Sequence, residues 1–505
     1  MKKNTLLILF FNSILGFFSF SQDILITEEV KEIRKPLKGS WNGIMVFEDR
    51  TPRGGVGSEP SYNVDYQLLN TKTDAIKEVK SRPENDIAIK SNHIYSFVNG
   101  KYIYELFLFS GKARYESYGF IKRNIETGNQ EGEILLLEKK GFIKRVSFDN
   151  NGIHILINDS NEYFSKEYFL FRLNFDLSIE WSKKIDILSN SEVSISTISI
   201  DEDFNFLISI LISEKVKMSL FRLDANAKSG LAFIIIDSDG NIKNAAPELP
   251  GNLFALSSKF KYYPEKQELV GLFVIAEVIN ERTSAHKGIG YQYVRWDEDG
   301  AILASKQHWF TPKELESDEL TNFIEITKFK IGKMSIDNKF PEIDFNKPLK
   351  FIFTDQQEVI VASSDFDCGI TEILNSKFLF CVANSGDLKW LKFIPLGPHP
   401  IYKKSCYYYE NDKLHFLIND FSRNFESNQY KFITFKEPIT PESSQFYDKI
   451  IDCKDGEILS FEPIVENPMP NCAPNLISFE NNIDQIILRY SNTLKNLERY
   501  IVLNY

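Results

Sequence analysis

Apolar and polar positions alternate in a plan that returns along the whole chain, and it is clearest between Gly288 and Trp309. A run of aromatic and β-branched residues (Tyr291, Tyr293, Val294, Trp296) meets the polar stretch Asp297-Glu298-Asp299-Gly300, and a second run leaves through Ala301, Ile302 and Leu303. Asp supplies side-chain bonds to nearby backbone and Gly the positive φ that a tight reversal needs, so this segment predicts a β-hairpin. The same strand-turn-strand pattern is read at Tyr118–Arg123, Tyr168–Leu173, Leu231–Ile236 and Lys377–Ala383, with the runs Tyr430–Phe435 and Tyr500–Asn504 closing the series.

A second hairpin lies between these, as in the stretches starting at Val146, Ile198, Phe260 and Tyr407. Each repeat therefore supplies about four strands and returns every 50 to 70 residues or so. One four-stranded sheet cannot bury both faces, whereas sheets packed radially around an axis can. The pattern predicts an all-β fold, a β-propeller of seven or eight four-stranded blades. Asp23–Glu29 reads as a strand without a neighbour, and the chain ends in an equally unpartnered strand; pairing them in one blade would close the ring. The rhythm breaks once. Thr311-Pro312-Lys313-Glu314 matches a helix start, with Thr as N-cap, Pro at the first helical position and Glu for a capping box, predicting a helix over residues 312–330.

The first residues modify this picture. Lys2 and Lys3 precede an apolar stretch from Leu6 to Phe18, and Ser19 and Ser21 occupy the small-residue positions of a cleavage site. Residues 1–21 read as a signal peptide, with residues 22–505 a single propeller domain, exported to the periplasm or beyond. Beyond the leader, no run reaches the roughly 18 apolar residues of a spanning helix. With 59 Lys and Arg against 70 Asp and Glu, net charge −11 and no basic cluster, nucleic acid is a poor partner. Phe (42) far exceeds Trp (5), a composition that favours strands. A monomer is expected.

Candidate chemistry is sparse. Five cysteines leave one over; Cys368 with Cys381 and Cys453 with Cys472 could bridge locally, or all five could be buried thiols. Asp237, Asp239, Asn241 and Glu248 have oxygen side chains at calcium-loop spacing, but Ile242 stands where such a loop requires Gly, so a plain hairpin turn is favoured over calcium and no cofactor is expected. Asp297 with Asp299, or Asp201, Glu202 and Asp203, could act as paired carboxylates, yet turn carboxylates are usually solvated. The six histidines show no metal-ligand spacing, and His154 and His415 occupy matching places in the repeat, a structural role. The Gly-rich stretch from Arg53 to Gly57 lacks the Lys of a phosphate loop. Trp41, His308 and Trp309 are the candidate ligand-binding residues, since aromatics in propeller loops can stack on sugars or peptides.

The leader end FSFSQ, the stretch SKFKYYPEKQELVGLFV from Ser258 and YQYVRWDEDG from Tyr291 together resemble uncharacterised secreted β-propeller-like proteins of Bacteroidetes-type bacteria. That resemblance implies a propeller and no particular activity. The hairpins at Trp181 and Trp390 look like blade ends in quinoprotein-type repeats, but their Gly and Trp signature is incomplete, and no quinone is expected. The sequence thus favours a non-catalytic binding protein whose propeller loops engage a protein or glycan partner. The alternative is a secreted glycan hydrolase or lyase whose carboxylates converge at the channel mouth.

Overall fold

The structure, a computed structural model, shows eight antiparallel sheets among the described residues, seven of them built from strands consecutive in the chain. It describes the strands given below with their turns at 100–101, 125–129, 174–178, 240–241, 264–267, 298–301, 354–358, 383–387, 411–412 and 453–457, together with 37, 39, 152, 310–315, 349 and 464; the other positions lie outside the described residues.

The first sheet runs Lys35–Pro36, Ile44–Pro52, Tyr62–Asn70, Ile76–Lys80, and the second Ser91–Asn99, Tyr102–Ser110, Glu116–Asn124, Gln130–Leu137. The third runs Phe142–Phe148, Ile153–Asn158, Glu167–Leu173, Ile179–Asp186, and the fourth Glu192–Ile200, Phe206–Ser213, Ser229–Ile236, Ile242–Ala245. In the fifth the strands are Ala255–Tyr263, Glu268–Asn280, Ala285–Asp297 and Ile302–Trp309. The sixth has Lys350–Phe353, Val359–Ala362, Asn375–Val382 and Leu388–Leu396, with Phe366–Asp367 continuing the second strand after a break. The seventh has Ser405–Glu410, Lys413–Phe421, Ser444–Asp452 and Ile458–Pro463. The run Tyr430–Phe435, expected as a strand, lies outside the described residues; Ser444–Asp452 takes the third place of the seventh sheet.

The eighth sheet joins the two ends of the chain. Ala473–Ile477, Gln485–Asn492 and Leu497–Asn504 are followed in space by Ile24–Ile26, with Ile24 opposite Leu503 and Ile26 opposite Ile501. Val30–Lys31 pairs further along the same strand, at Glu498 and Leu497. The edge of Leu497–Asn504 is thereby covered over these residues.

Fourth strands face solvent and first strands face inward. Large exposed apolar side chains fall on fourth strands, among them Ile179, Ile242, Ile302, Leu303, Ile458 and Leu459. The first strands of the fourth and fifth sheets touch each other. The fold is therefore an eight-bladed β-propeller, with the first strand of each blade along the axis.

Cores form between neighbouring blades. Between the fifth and sixth, Val270, Leu272, Tyr291 and Tyr293 interleave with Val359, Phe378 and Phe380; between the sixth and seventh, Ile360, Leu379 and Trp390 meet Leu414, Phe416 and Ile451. Polar tips that these aromatics would bury find backbone acceptors in the next blade's turns. Tyr263 donates to the Thr354 carbonyl (2.7 Å), Tyr293 to Gln357 (3.1 Å), Tyr291 to Gly386 (3.1 Å) and Tyr104 to Phe175 (2.7 Å).

A second device locks some outer hairpins to the preceding blade. The turn between third and fourth strands holds a glycine at positive φ, as at Gly240 (79°) and Gly456 (76°). The bare face of that glycine receives a tryptophan from the blade before: a Cβ on Gly240 would lie 3.0 Å from the Trp181 ring, and one on Gly456 2.8 Å from Trp390. Where the third blade's turn carries Leu177 (φ 71°) instead, the second blade offers Gly132, and a Cβ there would sit 3.6 Å from the Leu177 side chain. Large and small residues have exchanged sides of one contact.

The predicted helix begins as expected. Pro312–Leu315 is helical; Thr311 N–H and Oγ1 donate to Glu314 Oε2 (2.7 and 2.8 Å), and Glu314 N–H reaches back to Thr311 Oγ1 (3.3 Å). The rest of the expected helix lies outside the described residues.

Candidate functional site

The turn carboxylates are occupied by their own backbone. Asp297 Oδ1 accepts from the N–H groups of Asp299 (3.0 Å) and Ala301 (2.8 Å), Asp452 from Lys454 (2.7 Å), and Asp176 from Ser178 (2.7 Å). Asp297 and Asp299 thus make a turn and not an acid-base pair. Asp201, Glu202, Asp203, the stretch 53–57, and three of the calcium candidates, Asp237, Asp239 and Glu248, lie outside the described residues; Asn241 is exposed. Among the described residues no three His, Cys, Asp or Glu side chains are placed to hold a metal ion.

Trp41 also lies outside the described residues. His308 and Trp309 are at the end of a fourth strand, on the rim of the fifth blade, not in a loop at the channel mouth. The strand extends that far because Trp309 is in register with Gly290 and His308 with Tyr291. The His308 ring stacks on Tyr291 at 5.4 Å, and its Nε2 is 3.1 Å from Glu314 Oε1; Trp309 is 41% exposed.

Cys381, Cys406 and Cys453 are buried, while Cys368 and Cys472, the other halves of the two candidate bridges, lie outside the described residues. Burial pushes the Cys453 thiol up to about 12 and Cys381 likewise upward.

His154 and His415 both lie buried on second strands, as their matching sequence positions imply, but their partners differ. His154 is in register with Arg172, whose Nε is 2.8 Å from Glu180. His415 Nδ1 is 2.7 Å from Asp448 Oδ2, with the Tyr408 ring stacked on the imidazole at 4.2 Å.

One buried polar group among the described residues was not singled out in the sequence. Between the first and second blades, Tyr66 Oη is 2.7 Å from Ser96 Oγ and 3.4 Å from His93 Nε2, and His93 Nε2 is also bonded to Ser96 Oγ. Glu105 comes to the same place from the second strand of the second blade, held by Arg123 Nε at 3.0 Å, while Arg123 Nη1 donates to the Gly128 carbonyl. Glu48 adjoins Tyr66 across the first sheet. Tyr66 and Glu105 are fully enclosed. Burial, then the charges of Glu105 and Glu48, raise the Tyr66 phenol well above its ordinary value, so it is a hydrogen-bond donor and not a phenolate base. A signal was present: Glu105 is the one charge in the run YIYELFLF, and a lone charge in an apolar strand must be paired.

Tyr66, Tyr104, Tyr263, Tyr291 and Tyr293 are all raised, mainly by burial. A folded phenol raised above its unfolded value near 10.0 contributes stability that is complete below that pH and is lost above it, because the unfolded chain then releases protons the folded chain retains. Denaturant midpoints measured from pH 8 to 12 are therefore expected to be flat to about pH 10 and then fall, by up to about 1.4 kcal/mol per pH unit for each buried phenol. A curve that stays level to pH 12 would show these hydroxyls to be solvated.

No family model matches this chain, and no curated protein matches it. Solved structures similar to it include two described as propellers and a polysaccharide lyase. The Dos1 propeller aligns with TM-score 0.44 and 8% identity over 95% of this chain and 95% of that chain. The β-propeller domain of the Trilobed protease from Pyrococcus furiosus aligns with TM-score 0.36 and 11% identity over 81% and 95%. The polysaccharide lyase Uly1 aligns with TM-score 0.38 and 10% identity over 85% and 92%.

Proposed function

We propose that this chain is an exported propeller that binds a protein or glycan through the loops at one end and does not transform it. The observation that carries the reading is the unequal length of the connections. Those joining first to second and third to fourth strands are tight turns, such as 100–101, 264–267, 411–412, 125–129 and 298–301. Several of those leaving the opposite ends of the strands are longer, spanning 53–61, 81–90, 159–166, 214–228, 310–349 and 422–443, although 111–115, 138–141 and 281–284 are short. Extra sequence of this kind, set on a rigid scaffold, is where propellers hold their partners. The ionisable groups described above support the same reading, because they are engaged in turns and inter-blade pairs.

A glycan hydrolase or lyase is the second reading, favoured by Glu48 and Glu105 approaching Tyr66 from neighbouring blades. The test is to incubate the full chain with neutral and acidic polysaccharides, reading binding by thermophoresis and cleavage by new reducing ends and unsaturated products. Saturable binding without shortening of the polymer is expected. Cleavage that disappears in Tyr66→Phe would overturn the binding reading in favour of catalysis at that cluster.

A further inference from the structure

We infer that the wall of the propeller axis recognises an anionic glycan, one bearing carboxylate or sulfate groups; this rests on the binding reading above and specifies its ligand. The chain is acidic overall, yet among the axial-strand residues whose side chains are described the charges are Lys259, Lys261 and Lys350 against Glu410. Charge of one sign concentrated along a concave wall focuses potential there even when the net charge of the molecule is opposite.

Two of the described ammonium groups, those of Lys261 and Lys350, lie beside aromatic rings of axial strands, and both rings are themselves buried. Lys261 Nζ is 4.9 Å from the centroid of Tyr263. Lys350 Nζ donates to the Tyr407 carbonyl at 2.7 Å and lies 6.0 Å from the Tyr407 ring, bridging the axial strands of the sixth and seventh blades. Tyr95, Phe353 and Tyr408 are half-buried on axial strands. Cations on a set of strands that also carries the half-buried Tyr95, Phe353 and Tyr408 suit a sugar chain that presents C–H faces for stacking and acid groups for pairing. A purely acidic peptide would use the cations alone.

The experiment compares polygalacturonate, a sulfated glycan, the neutral glycan dextran, polyglutamate and single-stranded DNA as ligands for the full chain. Acidic glycans are expected to bind, with dextran at least about tenfold weaker and binding that weakens with salt. Lys259→Glu with Lys261→Glu is expected to abolish acidic-glycan binding while leaving the circular dichroism spectrum unchanged. Lys243→Glu with Lys392→Glu, the same charge change on fourth strands, is expected to leave it intact. Polyglutamate or DNA binding as well as the acidic glycans, or the fourth-strand pair weakening binding as much as the axial pair, would overturn the proposal. Equal binding of dextran would sink the anionic specificity while leaving the glycan-binding reading standing, and cleavage of any polymer would sink that reading separately.

Discussion

Trp390→Ala is expected to lower stability by about 3–5 kcal/mol, the range for removing a large buried aromatic side chain. Trp390 is 6% exposed, its indole N–H donates to the Cys453 carbonyl at 2.9 Å, and its ring covers Gly456. Truncation would open a cavity between the sixth and seventh blades and leave that carbonyl without its donor. Gly456→Ala should also destabilise, by about 1–3 kcal/mol, because the new methyl meets the ring at 2.8 Å and the residue holds a φ of 76°. The two effects should not add: once the ring is gone, only the backbone strain of roughly 1 kcal/mol remains for the alanine. Urea midpoints of the two single variants and the double variant measure this coupling, and strict additivity would show that ring and glycine do not hold the blades together.

Glu105→Ala is the second large effect. Arg123 and Glu105 are 3% and 0% exposed, so losing the carboxylate strands a cation inside the first blade interface at a cost of about 3–5 kcal/mol. Replacing both, Glu105→Leu with Arg123→Met, removes charge and desolvation together and should cost much less than the single change. The residual cost reflects the Gly128 carbonyl and the Tyr66 hydroxyl, which lose charged neighbours. If the double variant is as unstable as Glu105→Ala, the pair is not the source of the effect and the damage lies in packing.

These two contacts differ in how far the sequence announces them. Trp390 and its hairpin are visible from Asn384-Ser385-Gly386-Asp387 onward, because turn chemistry and strand alternation are local properties. So is the helix start at Thr311, whose capping box is contained in four residues. The closing pair of strands follows from having one unpartnered run at each end. Contacts set by register between blades are not local. Nothing near Tyr66 in the chain points to Ser96, or near His415 to Asp448; only the stacking of sheets brings them together. His308 and Trp309 illustrate the same limit: the sequence shows a strand, but not that it is the outermost of its blade, which converts an expected loop aromatic into a rim residue. The hairpin at Asp452–Gly456 carries the same Asp-Gly turn as the others, and that signal lay open in Lys454-Asp455-Gly456.

The proposed ligand lies along the propeller axis and at the long-loop end. Hydrogen–deuterium exchange of the full chain with and without saturating polygalacturonate tests this most directly. Slower exchange is predicted in the axial strands, above all Ala255–Tyr263 and Lys350–Phe353, with no change in the fourth strands or the tight turns. Protection confined to Ile302–Trp309 and the turn at 298–301, with the axial strands unaffected, would place binding on the rim and contradict it.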